Sequence, residues 1–182
     1  RIHMSDIGEA RFLPALMAAK PSQAPATGVE CHAVPDAGIA EKLDKGELDF
    51  AFGFLPTVSG TEQFALLPDR YVLMLREGHP LTAVLGHGGL DLTELFKLAF
   101  VAVRSHSDTL RMLEILGLKE RVKLFASNFL ALPAIVRATD LAVILPRQFA
   151  TNFNAGGGFV VEEPRLPLRD FTVSLHWSRR QQ

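Results

Sequence analysis

The residues that could do chemistry sit where strands give way to helices. Ser5-Asp6-Ile7-Gly8 follows an alternating run that begins at Arg1, and an apolar helical pattern comes next. A helix that starts there presents free backbone N–H groups and the positive end of its dipole, both suited to an anion. Ser5 adds a hydroxyl donor, so a carboxylate is the natural guest of Ser5, Asp6 and Ile7. The plainer reading is that Ser5 or Asp6 caps the helix and does nothing more. Ser127-Asn128 opens a later helix and carries the same two readings. Phe129 beside it could close over an aromatic ring or fill a core. Val103-Arg104-Ser105-His106 ends a strand, and ligands of open α/β sheets gather at such ends. His106 is therefore the best polar contact in the chain, set against the reading of a surface-loop His. Phe54, at the end of an earlier strand, faces the same choice between ligand and core.

Catalytic constellations do not emerge from the rest. The six His, at 3, 32, 79, 87, 106 and 176, show no HExxH and no paired metal-ligand spacing. Cys31 has no thiol partner, and there is no GxSxG, Walker or GxGxxG pattern. Glu162-Glu163 reads as a solvated loop. No metal, cofactor or enzymatic activity is expected, although a fold does not dictate its function.

The elements that must position these residues come in two similar sets. Arg1 to Ile7 reads as a strand, Gly8 to Lys20 as a helix with Phe12, Leu13, Leu16 and Met17 on one stripe, and Pro21 as its stop. Val29 to Val34 is a second strand. Asp36 is a plausible N-cap for a helix carrying Ile39 and Leu43, with Gly46 at its left-handed end. Leu48 to Leu55 is apolar on both faces after Asp49, as in a parallel sheet covered on both sides. Phe64–Leu67 and Tyr71–Leu75 read as strands joined by a Pro68-Asp69 turn. After the Gly-rich stretch 86–89 comes a helix with Leu92, Leu95 and Phe96. The second β-α-β-α-β run follows: 99–103, 109–116, 122–126, 129–138 and 141–145. A short helix spans 148–154, and 171–177 is a late returning strand. Two α/β units with a late return suggest two lobes joined by two crossing segments.

Composition excludes other classes. At 48% hydrophobic and 21% charged the chain is neither disordered nor collagen-like. No apolar run reaches the roughly 18 residues of a membrane span, and no signal peptide is visible, so no membrane partner is expected. One Cys leaves no internal disulfide framework and fits the cytoplasm. The net charge is −1 and the basic residues are scattered, so this chain lacks the basic face that phosphate binding needs.

Several stretches resemble the effector-binding domain of LysR-type transcription regulators. They are Leu43-Asp44-Lys45-Gly46-Glu47-Leu48-Asp49 with the strand after it, Leu67 to Leu81 with its Arg76-Glu77-Gly78-His79-Pro80 turn, and Leu141 to Pro146. Met4-Ser5-Asp6-Ile7-Gly8-Glu9 with Phe12-Leu13-Pro14 is similar to the branch of salicylate-responsive and nodulation regulators. The resemblance runs in order over almost the whole chain. It departs at Asp140, where the family often has Gly, and after the final strand, where the family usually adds a helix.

The resemblance implies an α/β fold of the type II periplasmic-binding-protein kind: two Rossmann-like lobes, a hinge and a cleft between them. Lobe I would be residues 1–75 plus 171–182, and lobe II residues 76–170. A small organic acid, aromatic by analogy with that branch, would sit in the cleft. Its contacts would be Ser5, Asp6, Ile7, Phe54, Val103, His106, Asn128 and Phe129. The chain would form homodimers or homotetramers, and would meet DNA only through an N-terminal helix-turn-helix domain that this chain lacks. The alternative is a solute-binding protein of a transport system, which shares the architecture.

Overall fold

The computed structural model describes residues 1–82, 90–166 and 168–180, the side chain of Ser107 excepted. The Gly-rich stretch 86–89 and His87 lie outside them. Two compact units divide the chain, Arg1–Pro68 with Phe171–Gln182, and Asp69–Asp170.

Unit 1 opens with β1 (Ile2–His3), α1 (Asp6–Gln23), β2 (Cys31–His32), α2 (Asp36–Asp44) and β3 (Phe50–Gly53). β1 pairs in parallel with both β2 and β3, a pairing that requires the helical crossovers between them. β4 (Thr61–Asp69) and β10 (Phe171–Ser178) complete a sheet of order β2-β1-β3-β10-β4. β10 runs antiparallel to β3. Under the sheet, Ile39 and Leu43 of α2 pack with Leu48, Ala51 and Leu55. Gly46 turns the chain out of α2 at φ +69, as its place in the sequence requires.

Two expectations for these helices need correction. α1 does not stop at Pro21, because Ala24 N–H still reaches the Lys20 carbonyl at 2.8 Å and closes one more turn. Its stripe is not a buried one either. Ile7 is the buried residue of this helix, and Met17 is 47% exposed. Apolar residues in α1 fall on every side, so no face concentrates them. In α2 the N-cap position belongs to Pro35, with Asp36 as the first helical residue. Its carboxylate therefore lies in the first turn, where the helix dipole favours it.

Unit 2 contains β5 (Tyr71–Arg76), α3 (Leu92–Leu95), β6 (Ala99–Val103), α4 (Ser107–Ile115), a 3-10 turn (Lys119–Arg121), β7 (Val122–Ala126), α5 (Leu132–Ala138), β8 (Leu141–Pro146), α6 (Arg147–Phe153) and β9 (Phe159–Glu162). The sheet order is β7-β6-β8-β5-β9. β6 is parallel to β7 and β8, whereas β5 is antiparallel to β8 and β9. Tyr71 to Leu75 are all buried, as are Ala142 to Pro146, so the two central strands read as continuous apolar runs.

β5 hydrogen-bonds to β8 and β9, so residues 71–75 belong to unit 2 rather than to the first lobe. Pro68-Asp69 is correspondingly no hairpin turn; β4 and β5 join different sheets. β9 was not anticipated. It takes in Glu162, while Glu163 just after it accepts from Arg70 at 3.1 Å and pairs with Arg147, so this is no freely solvated loop. Arg70 also holds Asp170, at 2.8 Å, and so ties together the two ends of unit 2.

The Arg76 to Pro80 turn is fixed from inside. Gly78 takes φ +69, the Leu81 N–H donates to His79 Nδ1 at 3.1 Å, and His79 Nε2 donates to the Asp140 carbonyl at 3.1 Å. Asp140 replaces the expected Gly without a left-handed backbone, and its carboxylate meets Arg76 Nη2 at 2.6 Å.

Candidate ligand site

In unit 1 the candidate residues cluster at the start of α1. Ser5 is the N-cap, extended at φ −76 and ψ 165, and its hydroxyl accepts from the Gly8 N–H at 3.3 Å. The capping reading of Ser5 is thus realised. One of the helix's orphan donors is satisfied in this way. A Cβ at Gly8 would stand 3.3 Å from Met4 Cβ, so the helix start packs closely against the strand end. Asp6 is half-buried, Ile7 is buried, and Asp6 and Glu9 place two carboxylates in the first turn. An incoming anion would share the dipole's positive end with them. Phe54 stands apart, half-buried, with its ring 4.9 Å from that of Phe171.

Unit 2 brings a tighter group together. Val103, at the end of β6, is 1% exposed, and the chain then turns so that the His106 N–H bonds the Val103 carbonyl at 3.2 Å. His106 is the N-cap of α4. Its Nδ1 accepts from the Thr109 N–H at 3.3 Å and lies 2.6 Å from the Thr109 hydroxyl. The Phe129 ring meets the imidazole edge-on, 5.1 Å away at 88°. Tyr71 approaches from β5 at 6.2 Å and 77°. The result is a three-ring corner of Tyr71, His106 and Phe129. Burial pushes the His106 imidazole down to about 4, so the ring is neutral at pH 7. Burial, with help from the charges of Asp108 and Asp69, pushes the Tyr71 phenol well up.

Tyr71 was missed as a site residue. It sits in a strand whose every neighbour is core, and only its partners across the sheet reveal it. Asn128 is exposed and does not open a helix, since α5 starts at Leu132. Its Oδ1 instead accepts from the Ala131 N–H at 3.3 Å, holding a turn ahead of that helix. Phe129 is 1% exposed and is both core and wall of the corner.

His3 and His176 make structural contacts. The Val34 N–H donates to His3 Nδ1 at 3.0 Å, and His176 Nδ1 lies 3.1 Å from the Thr61 hydroxyl. Among the described residues no group of His, Cys, Asp and Glu could hold a metal, and no helix is long and apolar enough to cross a membrane. A groove of about 590 Å³ in unit 1 runs along the later half of α1, with Leu16, Phe50, Phe52 and Leu175 among its walls. Its walls include none of the candidate ligand residues.

A family model described as the LysR substrate binding domain matches residues 1–182, and the chain belongs to that family. The HTH-type transcriptional activator NagR of Ralstonia sp is 33% identical over 177 residues, covering 96% of this chain and 58% of NagR. The HTH-type transcriptional activator NahR of Pseudomonas putida is 29% identical over 179 residues, with 96% and 58% covered. This chain therefore spans less than two thirds of the length of these relatives, and both are named as transcriptional activators rather than enzymes. A probable transcriptional regulator from Pseudomonas aeruginosa superposes with a TM-score of 0.83 at 22% identity, covering all of this chain and 61% of that one. The fold is the type II periplasmic-binding-protein fold of such domains.

Proposed function

We propose that this chain is the effector-sensing part of a LysR-type transcription regulator and that its effector is a small aromatic acid. The acid's carboxylate would meet Ser5 and the start of α1, and its ring would meet His106 and Phe129, with Asn128 adding a polar contact. Val103 and Phe54 would supply apolar wall. A bound effector favours whichever state of the protein gives it more contacts, and that shift is the signal. The observation that carries this reading is the corner of Tyr71, His106 and Phe129 at the end of β6. It offers apolar faces and one polar edge, which is what a small planar ligand needs for orientation. The resemblance of Met4 to Glu9, with Phe12-Leu13-Pro14, to the branch of salicylate-responsive regulators supports the acid. DNA contact would belong to an N-terminal segment of a longer cytoplasmic protein that acts as a homo-oligomer.

Calorimetry with benzoates, salicylates and aliphatic acids tests the proposal, repeated on Ser5→Ala and His106→Ala. Losing one charge-assisted hydrogen bond costs about 1.5–3 kcal/mol, or roughly ten- to hundredfold in affinity. An acid that binds equally well to Ser5→Ala removes the carboxylate from α1. Binding of neutral or cationic compounds alone removes the acid altogether. The reading as a transport protein loses ground to the LysR family match.

A further inference from the structure

We infer that Thr109 is a positioning residue that fixes His106 as an uncharged Nε2–H donor, so that this corner selects a ligand oxygen by hydrogen bonding rather than by charge. The inference rests on the proposed contact between His106 and the effector and adds the form in which that contact is made. One group at this corner has a role that cannot be adjusted. A backbone N–H can only donate, so the Thr109 N–H, 3.3 Å from His106 Nδ1, requires a lone pair on that nitrogen. The Thr109 hydroxyl, 2.6 Å from the same atom, has to donate as well. Two donors on Nδ1 leave the ring's single proton on Nε2. Among the described residues no hydrogen bond occupies that N–H.

The surroundings keep the ring in this form. Phe129 and Tyr71 present aromatic edges and faces to it, and neither offers a countercharge. Charging the ring would put a proton on Nδ1 and turn the Thr109 N–H against it, while the hydroxyl would have to reverse its role and accept. A cation here would attract any anion; a neutral N–H discriminates by position and lone-pair direction. The corner is therefore suited to a carboxylate, phenol or carbonyl oxygen held at the edge of a ring, and has no preference for net charge as such. Thr109 is 2% exposed and touches no ligand in this reading; it acts through His106 alone.

Side-chain nitrogen NMR on the protein without ligand reads the tautomer directly. At pH 7 His106 should show a protonated Nε2 and an unprotonated Nδ1. Thr109→Val, which keeps the shape and the backbone N–H but loses the hydroxyl, should hold the Nε2–H tautomer while leaving the ring less firmly oriented, and Thr109→Ser should restore the orientation. With salicylate as the probe, His106→Gln puts an amide N–H near Nε2 and should stay within about threefold of the parent affinity. His106→Asn, whose amide reaches only the Nδ1 position, should lose about tenfold or more, as expected for one hydrogen bond. Thr109→Val should lose several-fold and Thr109→Ser should recover it. An imidazolium or Nδ1–H signal in the parent protein overturns the tautomer assignment. A correct Nε2–H signal with salicylate affinity unchanged in His106→Asn overturns the donor role and the effector contact beneath it, leaving the tautomer in place.

Discussion

Ser5 has two duties in this reading, and they separate by substitution. Ser5→Ala removes the cap on Gly8 N–H and should cost about 1 kcal/mol of stability with no ligand present, measured by urea unfolding. Ser5→Asp keeps a capping oxygen but adds a negative charge. It should leave the unfolding midpoint nearly unchanged while abolishing binding of an acid. A second expectation concerns pH. His106 is neutral in the folded chain, with its value lowered from 6.5 to about 4, so between those limits the unfolded chain binds more protons than the folded one. Stability is therefore fully present above pH 6.5 and falls as pH drops toward 4. The full shift corresponds to at most about 3 kcal/mol, and partial exposure of the residue trims that to about 1–2 kcal/mol. Burial lowers His3 and His176 in the same direction, so they add to the slope. His106→Gln should make the loss between pH 7 and 5 shallower without removing it. An unchanged slope in denaturant melts would show that the ring is more hydrated than its surroundings suggest.

Elements with a clear period were legible from the sequence, and the others were not. β6 and β7 lie where apolar runs between helical stretches place them, at 99–103 and 122–126. Gly46 was legible because a left-handed end leaves few residues to choose from. A Cβ there meets nothing within 4 Å, so Gly46→Ala should cost about 1–2 kcal/mol through backbone strain alone. Leu73, fully buried in β5 between β8 and β9, should cost about 2–5 kcal/mol as Leu73→Ala, by denaturant unfolding. The fate of β5 itself was hidden. Its apolar run says that it is buried, but only pairing to β8 and β9 says in which sheet, and such pairing is non-local. The same holds for Tyr71, whose neighbours in the corner come from β6–α4 and from the turn before α5. Ser5 and His106 were legible because strand-to-helix junctions are local. The start of α5 was not, because the bond from Asn128 to the Ala131 N–H imitates a cap three residues ahead of the helix.

For the molecule as a whole, the absence of any concentrated basic stretch in a chain of net charge −1 has a direct consequence. A mobility-shift assay at physiological salt should show no operator-specific complex with these 182 residues. A specific shift would place DNA contacts within this chain. The topology bears on events before any ligand arrives. Unit 2 is one uninterrupted stretch, so by Asp170 a ribosome has delivered all of it. Unit 1 is different, because β10 is inserted between β3 and β4 although it is made after both. During synthesis its sheet must wait with the edge of β3 exposed, and β4 has no strand to pair with until β10 arrives. Such edges invite pairing with the wrong neighbour. A nascent chain stalled before Phe171 should resist protease across 69–170 and be cut within 1–68, and release of the last strand should close that window.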